Sequence, residues 1–334
     1  MKKIFLSIFL AAIMLSCGNK TFSLEGQVHD LDLNGVTMVI SIYDGTQWTV
    51  FSEVVVENNS FTLRGSVEQP KIARLMFNDR ERQARGQKTF ILENERIHFS
   101  INEEMKITMS GGRANNLLQD FENELAELHE MPEEFKAFIV NFSKNHVNTL
   151  PGTAVFMETS HVLSLEDRLA IINLMNAETK TNARIQTIAQ RAEAEQKVAP
   201  GMHFTDFTLP NVAGNMVSLS DVVGQHDFVL LQFWASWCGP CIRSLPELKE
   251  FYASYNRQRL EIFSVSLDND RAAWENAIAT HQLSWIHVSD LAGWESAAGQ
   301  LYAVSSIPTR LLIDRQGTIL GRNLSISEME NLMK

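Results

Sequence analysis

The sequence of 334 residues predicts an α+β multidomain protein: an N-terminal antiparallel β sandwich or barrel, a helical middle segment and a C-terminal α/β domain. Three observations predict this order. Short alternating apolar runs separated by turn residues occupy residues 21–112, and apolar residues with helical spacing follow over residues 113–198. An apolar run typical of a buried strand, Phe228–Trp234, leads into Cys238-Gly239-Pro240-Cys241, and this order favours a strand followed by a helix that carries a redox dithiol. A chain of this length accommodates two or three domains.

The β segment contains eight short runs, most of them alternating between apolar and polar residues. Turn sequences such as Asp44-Gly45 and Gly111-Gly112 separate or end them. Every second side chain of a strand faces the same side of its sheet, so the alternation predicts half-buried strands that pack into a sandwich or barrel. The runs are Phe22–Val28, Val36–Tyr43, Gln47–Val56, Ser60–Val67, Lys71–Phe77, Thr89–Leu92, Arg96–Ile101 and Lys106–Ser110.

Helical periodicity replaces the alternation in the middle of the chain. The sequence Ser164-Leu165-Glu166-Asp167 has the form of a capped helix start, and the polar, alanine-rich run 181–196 predicts a helical connector. Pro200-Gly201 marks the entry to the last domain. One apolar helix face is formed by Leu117, Leu118, Phe121, Leu125 and Leu128.

The two thiols of the last domain indicate redox chemistry. Besides Cys238 and Cys241 the chain has only Cys17, which excludes a four-cysteine zinc site, and we predict no metal. Ile242 stands where covalent haem attachment would require histidine. Pro240 suits the first turn of a helix, so Cys238 falls at the helix N-terminus, where free N–H groups and the helix dipole stabilise a thiolate. Cys238 is therefore the predicted nucleophile, and Cys241, one turn later, resolves the mixed disulfide.

The residues around the dithiol resemble those of thioredoxin-like proteins. The resemblance is carried by residues 233–241 with Trp237 and Gly239, by Pro246, and by Ile307-Pro308-Thr309 further on. It implies that Pro308 follows a cis peptide bond and faces the dithiol, which exposes the backbone of Ile307 to an extended substrate. Pro246 should kink the helix. Trp237 either shields the dithiol and offers an apolar contact or serves packing alone, and Gly239 with Pro240 resembles the reducing members of the superfamily.

Two further segments are similar to the TlpA/ResA and peroxiredoxin branch, which has AhpC/TSA-type domains. They are the extended start at 200–210 and a strand with its turn at 311–317, so the resemblance covers roughly residues 199–334. Two positions depart from it: Gln232 replaces a buried aspartate of thioredoxins, and Ser244 replaces a glutamate of many TlpA/ResA-like proteins. Neither can act as a carboxylate base. Water, or a carboxylate such as Asp268 or Asp290, would have to accept the Cys241 proton.

The N-terminus has the form of a bacterial lipoprotein signal. Lys2 and Lys3 precede an apolar run, Ile4–Leu15, which is shorter than the roughly 20 residues of a membrane-spanning helix. Cys17 resembles the lipidated cysteine of such proteins, and an ordinary signal peptide with a coincidental cysteine is the alternative. We therefore predict a protein of the cell envelope that is lipid-anchored and faces the periplasm.

The predicted organisation is a signal peptide over residues 1–16, a β domain over 17–112, a helical connector region over 113–198 and a thioredoxin-like catalytic domain over 199–334. The β domain resembles the uncharacterised β domain that often precedes TlpA-like domains in lipoproteins. The pattern of its strands, and no catalytic motif, carries that resemblance.

The combined interpretation is a thiol-disulfide oxidoreductase that reduces protein disulfides, with no cofactor besides the redox-active disulfide Cys238–Cys241. The resemblance implies protein disulfide substrates and a membrane electron-donor protein that regenerates the dithiol. A net charge of −11 and the lack of a basic run argue against nucleic acid as a partner.

Two other functions stay open at this point. A peroxiredoxin-like thiol peroxidase is suggested by the start of the last domain. Peroxidatic sites, however, place a threonine two or three residues before their cysteine, and Ala235-Ser236-Trp237 does not supply it. A non-catalytic binding or scaffold lipoprotein is suggested by the missing carboxylates.

Overall fold

The computed structural model describes residues 21–334, and the predicted signal peptide and Cys17 lie outside the described residues. The described chain divides into two compact units. The first comprises the residues up to Leu163 together with Asn173–Ile185, and the second comprises Ser164–Ile172 and Gln186–Lys334. Within residues 21–334, no helix combines the length and apolar character needed to cross a membrane.

Eight strands form the β part of the first unit. They are β1 Phe22–Val28, β2 Thr37–Tyr43, β3 Trp48–Val55, β4 Ser60–Gly65, β5 Lys71–Asp79, β6 Ala84–Leu92, β7 Arg96–Ile101 and β8 Ile107–Ser110. They build two sheets, in the orders β4-β1-β7-β8 and β3-β2-β5-β6. Phe90 of β6 lies edge-on to Phe99 of β7 with ring centroids 5.1 Å apart, so side chains of the two sheets meet in a shared core. The sandwich among the predicted alternatives is therefore the one observed.

One strand pairing corrects the prediction of a purely antiparallel domain. β1 runs parallel to β7, with Leu24 opposite Ile97 and Gly26 opposite Phe99. A parallel pair needs a long crossover, and β2 to β6 lie between these two strands in the sequence. Alternation fixes which face of a strand is buried and says nothing of the direction of its neighbour, so the sequence pattern could not predict this pairing.

Helices follow the sandwich. They are α1 Arg113–Glu127, α2 Pro132–Asn145, α3 Leu150–Thr159, α4 Leu165–Leu174, α5 Ala177–Lys180 and α6 Ala183–Lys197. Leu118 and Phe121 of the predicted amphipathic face are buried, and the ring of Phe121 packs 4.4 Å from that of Phe142 on α2. The predicted helical middle segment is confirmed.

The second unit is built around a five-stranded sheet in the order β13-β12-β11-β14-β15. β11, β12 and β13 are parallel, whereas β14 runs antiparallel to both β11 and β15. The elements are β9 Thr208–Pro210, β10 Met216–Ser218, β11 Phe228–Trp234, α7 Gly239–Ala253, β12 Leu260–Ser266, α8 Arg271–His281, β13 Ile286–Val288, α9 Ala297–Leu301, β14 Thr309–Asp314, β15 Ile319–Arg322 and α10 Ile326–Leu332.

The position of β11 at the centre of the sheet explains why its sequence is almost entirely apolar. Every residue of β11 after Phe228 is buried, since helices and loops cover both faces of a strand at the centre of such a sheet. That burial produces the continuous apolar run from which the strand was predicted. β11 ends at Trp234 and α7 begins at Gly239, so the dithiol lies at the carboxyl end of the central strand, where sites of α/β sheets usually lie.

Candidate active site

Cys238 occupies the N-terminal cap of α7, as predicted. Its sulfur is joined to that of Cys241 in a disulfide and accepts a hydrogen bond from the backbone N–H of Cys241 at 3.1 Å. The same N–H would favour a thiolate on Cys238 in the reduced protein, because a charged acceptor strengthens the bond. Cys241 is fully buried and Cys238 is 5% exposed, so Cys238 is the sulfur that an incoming group reaches first.

The loop before β14 lies against the dithiol. The peptide bond between Ile307 and Pro308 is cis, which confirms the prediction for Pro308. The carbonyl oxygen of Ile307 lies 3.6 Å from the sulfur of Cys238. An extended chain that approaches Cys238 therefore passes beside the backbone of Ile307. Pro246 lies inside α7 at the predicted place.

Asp268 fixes the segment that carries the dithiol. Its carboxylate is buried and accepts hydrogen bonds from the backbone N–H of Ser236 at 3.0 Å and from the hydroxyl of Ser236 at 2.6 Å. The hydroxyl of Ser266 donates a third, also at 2.6 Å. Both carboxylate oxygens are thus engaged in holding the turn two residues before Cys238, so Asp268 anchors this turn.

A row of polar side chains crosses the sheet next to α7. Arg310, Gln232, Ser264 and His287 stand opposite one another on β14, β11, β12 and β13. Residues in register on neighbouring strands point to the same face of a sheet. The hydroxyl of Ser264 donates to the Gln232 side-chain oxygen at 3.2 Å. Gln232, the position of the missing aspartate, is therefore part of a buried polar layer.

Arg310 links this layer to the helix of the dithiol. Its guanidinium donates a hydrogen bond to the hydroxyl of Ser244 at 2.8 Å, and that hydroxyl donates to the carbonyl of Cys241, also at 2.8 Å. Burial lowers the pKa of Arg310 from its usual value, although Glu247 on α7 opposes the shift. A cationic group thus stands beside Ser244, the position at which the family resemblance implied a glutamate.

His287 ends the row on β13. Its ring is buried between Trp234 and Trp285, with centroids 5.8 and 5.7 Å away. Within residues 21–334, neither ring nitrogen has a hydrogen-bond partner. Burial lowers the pKa of His287 to about 3. The imidazole is therefore neutral throughout the physiological pH range.

The stability of the second unit should consequently depend on pH through His287. An unfolded chain binds the proton with a pKa of about 6.5, so between pH 6.5 and 3 only the unfolded state is protonated. The stabilisation is complete above about pH 6.5 and falls on acidification by up to about 1.4 kcal/mol per pH unit. Replacing His287 by phenylalanine should reduce the loss of stability between pH 7 and pH 5 by about 2 kcal/mol.

Urea unfolding monitored by tryptophan fluorescence would measure this difference, because all six tryptophans except Trp48 lie in the second unit. A His203→Gln variant is a matched control at an exposed histidine of the same unit, and it should keep the wild-type pH dependence. A His287→Phe variant with that same dependence would refute the assignment.

Two exposed tryptophans stand at the edge of the site. Trp237, which precedes Cys238, is 53% exposed, so its ring contributes little to the core. Trp294, from the loop between β13 and α9, is 49% exposed and its ring centroid lies 6.1 Å from that of Trp237. The second acid considered as a base, Asp290, belongs to this loop and accepts hydrogen bonds from the backbone N–H groups of Ala292 and Ala297.

The reactivities of the two thiols should differ as their positions do. With Cys17 replaced by serine, a variant that retains Cys238 alone should be alkylated faster near neutral pH than one that retains Cys241 alone. Only Cys238 combines access with the helix N-terminus, which lowers a thiol pKa. Iodoacetamide rates as a function of pH would show this, and faster alkylation of Cys241 would reverse the assignment.

Comparison with known proteins agrees with this geometry. Residues 200–321 match the model of the AhpC/TSA family, and residues 22–118 match DUF4369, a domain of unknown function. The thiol-disulfide oxidoreductase ResA of Geobacillus kaustophilus is 33% identical over 122 residues, which are 36% of this chain and 67% of that protein. The chain belongs to the ResA/TlpA family of thiol-disulfide oxidoreductases. It is an oxidoreductase with a thioredoxin-like domain.

Two further proteins are similar to this chain. ResA of Bacillus thuringiensis subsp. konkukian is 29% identical over 126 residues, which are 38% of this chain and 70% of that protein. A solved thiol-disulfide oxidoreductase from Bacteroides fragilis is 35% identical, covers 39% of this chain and 98% of its own, and superposes with a TM-score of 0.37. The match to the AhpC/TSA family model and the ResA relatives confirm the family resemblance predicted from the sequence.

Sequence reasoning missed three residues of this ResA/TlpA family member: Trp294 beside Trp237, and Arg310 and His287 in the polar row next to α7. Trp294, Arg310 and His287 lie 53, 69 and 46 positions after Cys241 in the sequence. Their proximity depends on strand register and on one loop, which no local pattern reveals.

Proposed function

We propose that this thiol-disulfide oxidoreductase reduces protein disulfides through Cys238 and Cys241. The observation that carries the proposal is the position of Cys238: it caps α7, accepts the N–H of Cys241, and lies beside the backbone of Ile307. Trp237 directly precedes Cys238, and Gly239 and Pro240 form the first turn of α7 between the two cysteines. A static structural disulfide would not need a position at a helix N-terminus.

The reaction conserves atoms and electrons in two exchanges. The Cys238 thiolate attacks one sulfur of the substrate disulfide, forming a mixed disulfide and releasing the other substrate sulfur as a thiolate, which takes up a proton. Cys241, after losing its proton, then attacks Cys238 and releases the second substrate thiol. Two electrons and two protons pass to the substrate, and the protein is left with the Cys238–Cys241 disulfide. A membrane electron-donor protein would return the two electrons.

Insulin reduction with dithiothreitol as the electron source tests this function against the peroxidase alternative. The match to the AhpC/TSA family model is the observation that favours a peroxidase, so hydrogen peroxide consumption is measured with the same protein. We expect insulin precipitation well above the dithiothreitol background and no peroxide consumption above that of a Cys238→Ala control. Peroxide consumption without insulin reduction would identify a peroxidase. The absence of both activities would favour a scaffold.

We also propose that Cys17 carries the lipid anchor and that the protein acts in the periplasm. The support is the sequence alone: two lysines, the apolar run Ile4–Leu15 and then Cys17. Two or more acyl chains would anchor the protein stably, whereas one would bind only marginally. Labelled palmitate should enter the wild-type protein and not a Cys17→Ala variant. Equal labelling of both would exclude this site.

A further inference from the structure

Trp237 and Trp294 are two large apolar side chains that stay exposed to solvent next to the dithiol. Each ring is about half exposed, and the two ring planes meet at 55° with centroids 6.1 Å apart. Exposed indole rings are costly, since each buries up to about 150–250 Å² when covered. In residues 21–334 the remaining large aromatic side chain with comparable exposure is Phe51, which lies in the other unit. The two tryptophans therefore form a local apolar surface, and it adjoins Cys238.

Both tryptophans are held by one hydrogen-bond network at the end of β12. On one side, the carboxylate of Asp268 accepts hydrogen bonds from the backbone N–H and the hydroxyl of Ser236, which precedes Trp237. On the other side, the hydroxyl of Ser289 donates to the carbonyl of Ser266 at 2.9 Å. Ser266 itself donates to Asp268, so the two loops share a single anchor.

The loop of Trp294 is fixed along its length as well. Asp290 accepts the N–H of Ala292 at 3.3 Å and that of Ala297 at 2.9 Å, which closes the loop on either side of Trp294. Gly293, with φ of 59°, supplies the left-handed conformation next to it. Groups held by such a framework present a contact surface without an ordering cost at the moment of binding.

We propose that Trp237 and Trp294 form the contact surface for an apolar side chain next to the substrate cysteine, and that Trp294 determines this preference. The inference rests on the proposed disulfide exchange at Cys238. The substrate sulfur must reach Cys238, and its backbone passes Ile307, so the residues flanking its cysteine lie over the adjoining rings. The net charge of −11 further disfavours acidic flanks. The substrate class is thus a disulfide within an extended, apolar segment.

Two peptide disulfides test the preference. Both are symmetric disulfides of Gly-X-Cys-X-Gly, with X as leucine in one and serine in the other. Reduced full-length protein with Cys17 replaced by serine is mixed with each peptide, and peptide thiol release is quantified by rapid quench. We expect the leucine peptide to react about tenfold faster, as a partly buried aliphatic contact would provide. The ratio should fall to about twofold or less in Trp294→Ala and stay near the wild-type value in Trp294→Phe.

A Met216→Ala variant is the matched control, because Met216 is 62% exposed in the same unit and lies on the β9–β10 hairpin. It should keep the wild-type ratio. Equal wild-type rates for the two peptides, or an unchanged ratio in Trp294→Ala, would overturn the inference while leaving disulfide exchange intact. A wild-type protein that reduces neither these peptides nor oxidised glutathione would refute the proposed function itself.

Discussion

Replacing Cys238 by alanine should abolish insulin reduction, lowering the rate on the order of 1,000-fold or more, because the remaining thiol of the pair, Cys241, is fully buried. Replacing Cys241 by alanine should have a different outcome. The first exchange still occurs, but no internal thiol resolves it, so the protein accumulates as a mixed disulfide with its substrate. Non-reducing gels of both variants, each in a Cys17→Ser background, distinguish the two cases.

The same experiment identifies substrates when it is done in cells. Adducts trapped by Cys241→Ala contain the partner protein, and reduction releases it for mass spectrometry. Stable adducts on Cys238→Ala and none on Cys241→Ala would exchange the roles of the two cysteines.

Restoring a carboxylate at Gln232 should accelerate the second exchange. A positioned base supplies about 100-fold or more in favourable cases, and Gln232 is buried in the layer next to α7. Arg310 stands opposite Gln232 on β14, and a neighbouring cation lowers the pKa of a carboxylate and weakens it as a base. We therefore expect Gln232→Asp to gain less than this, and Gln232→Asp combined with Arg310→Met to gain more than Gln232→Asp alone.

The thermal stability of these variants should fall as their rate of resolution rises. A buried carboxylate is costly unless paired, so the double variant should melt well below Gln232→Asp, in which Arg310 offsets part of the charge. Gln232→Asn is the matched control, since its amide has the shape of the aspartate side chain without the charge. Stopped-flow rates of resolution for these three variants decide the point. Folded Gln232→Asp with the wild-type rate would mean that water or another group already accepts the Cys241 proton.

The sequence predicted the elements whose signal is local. β11 was predicted with its observed bounds because both faces of a central strand are covered, and the start of α7 followed from Pro240 and the dithiol. β6 was predicted too short, because Ala84–Lys88 becomes a strand only by pairing with Leu75–Asp79 of β5. The parallel pairing of β1 with β7 was missed for the same reason: a strand's partner is a property of the fold.

The residues of the site also fall into those with a local sequence signal and those whose role depends on the fold. Cys238, Cys241 and Pro308 belong to short sequence motifs that could be recognised directly. Asp268 was considered only as a base, and its role as an anchor became visible through its hydrogen bonds to Ser236 and Ser266. No sequence pattern indicated Arg310, because its role depends on its position opposite Gln232 and on its hydrogen bond to Ser244.

The central claim, that the dithiol works as a reductant, is tested most directly by its equilibrium with glutathione. Purified protein is equilibrated at pH 7 in buffers of varied reduced-to-oxidised glutathione ratio, quenched with acid, and its free thiols are alkylated and counted. Because Gly239 and Pro240 resemble the reducing members of the superfamily, we expect a reduction potential below about −200 mV, far from the roughly −120 mV of a strong oxidant. A potential above about −150 mV would contradict the account and make the protein an oxidase.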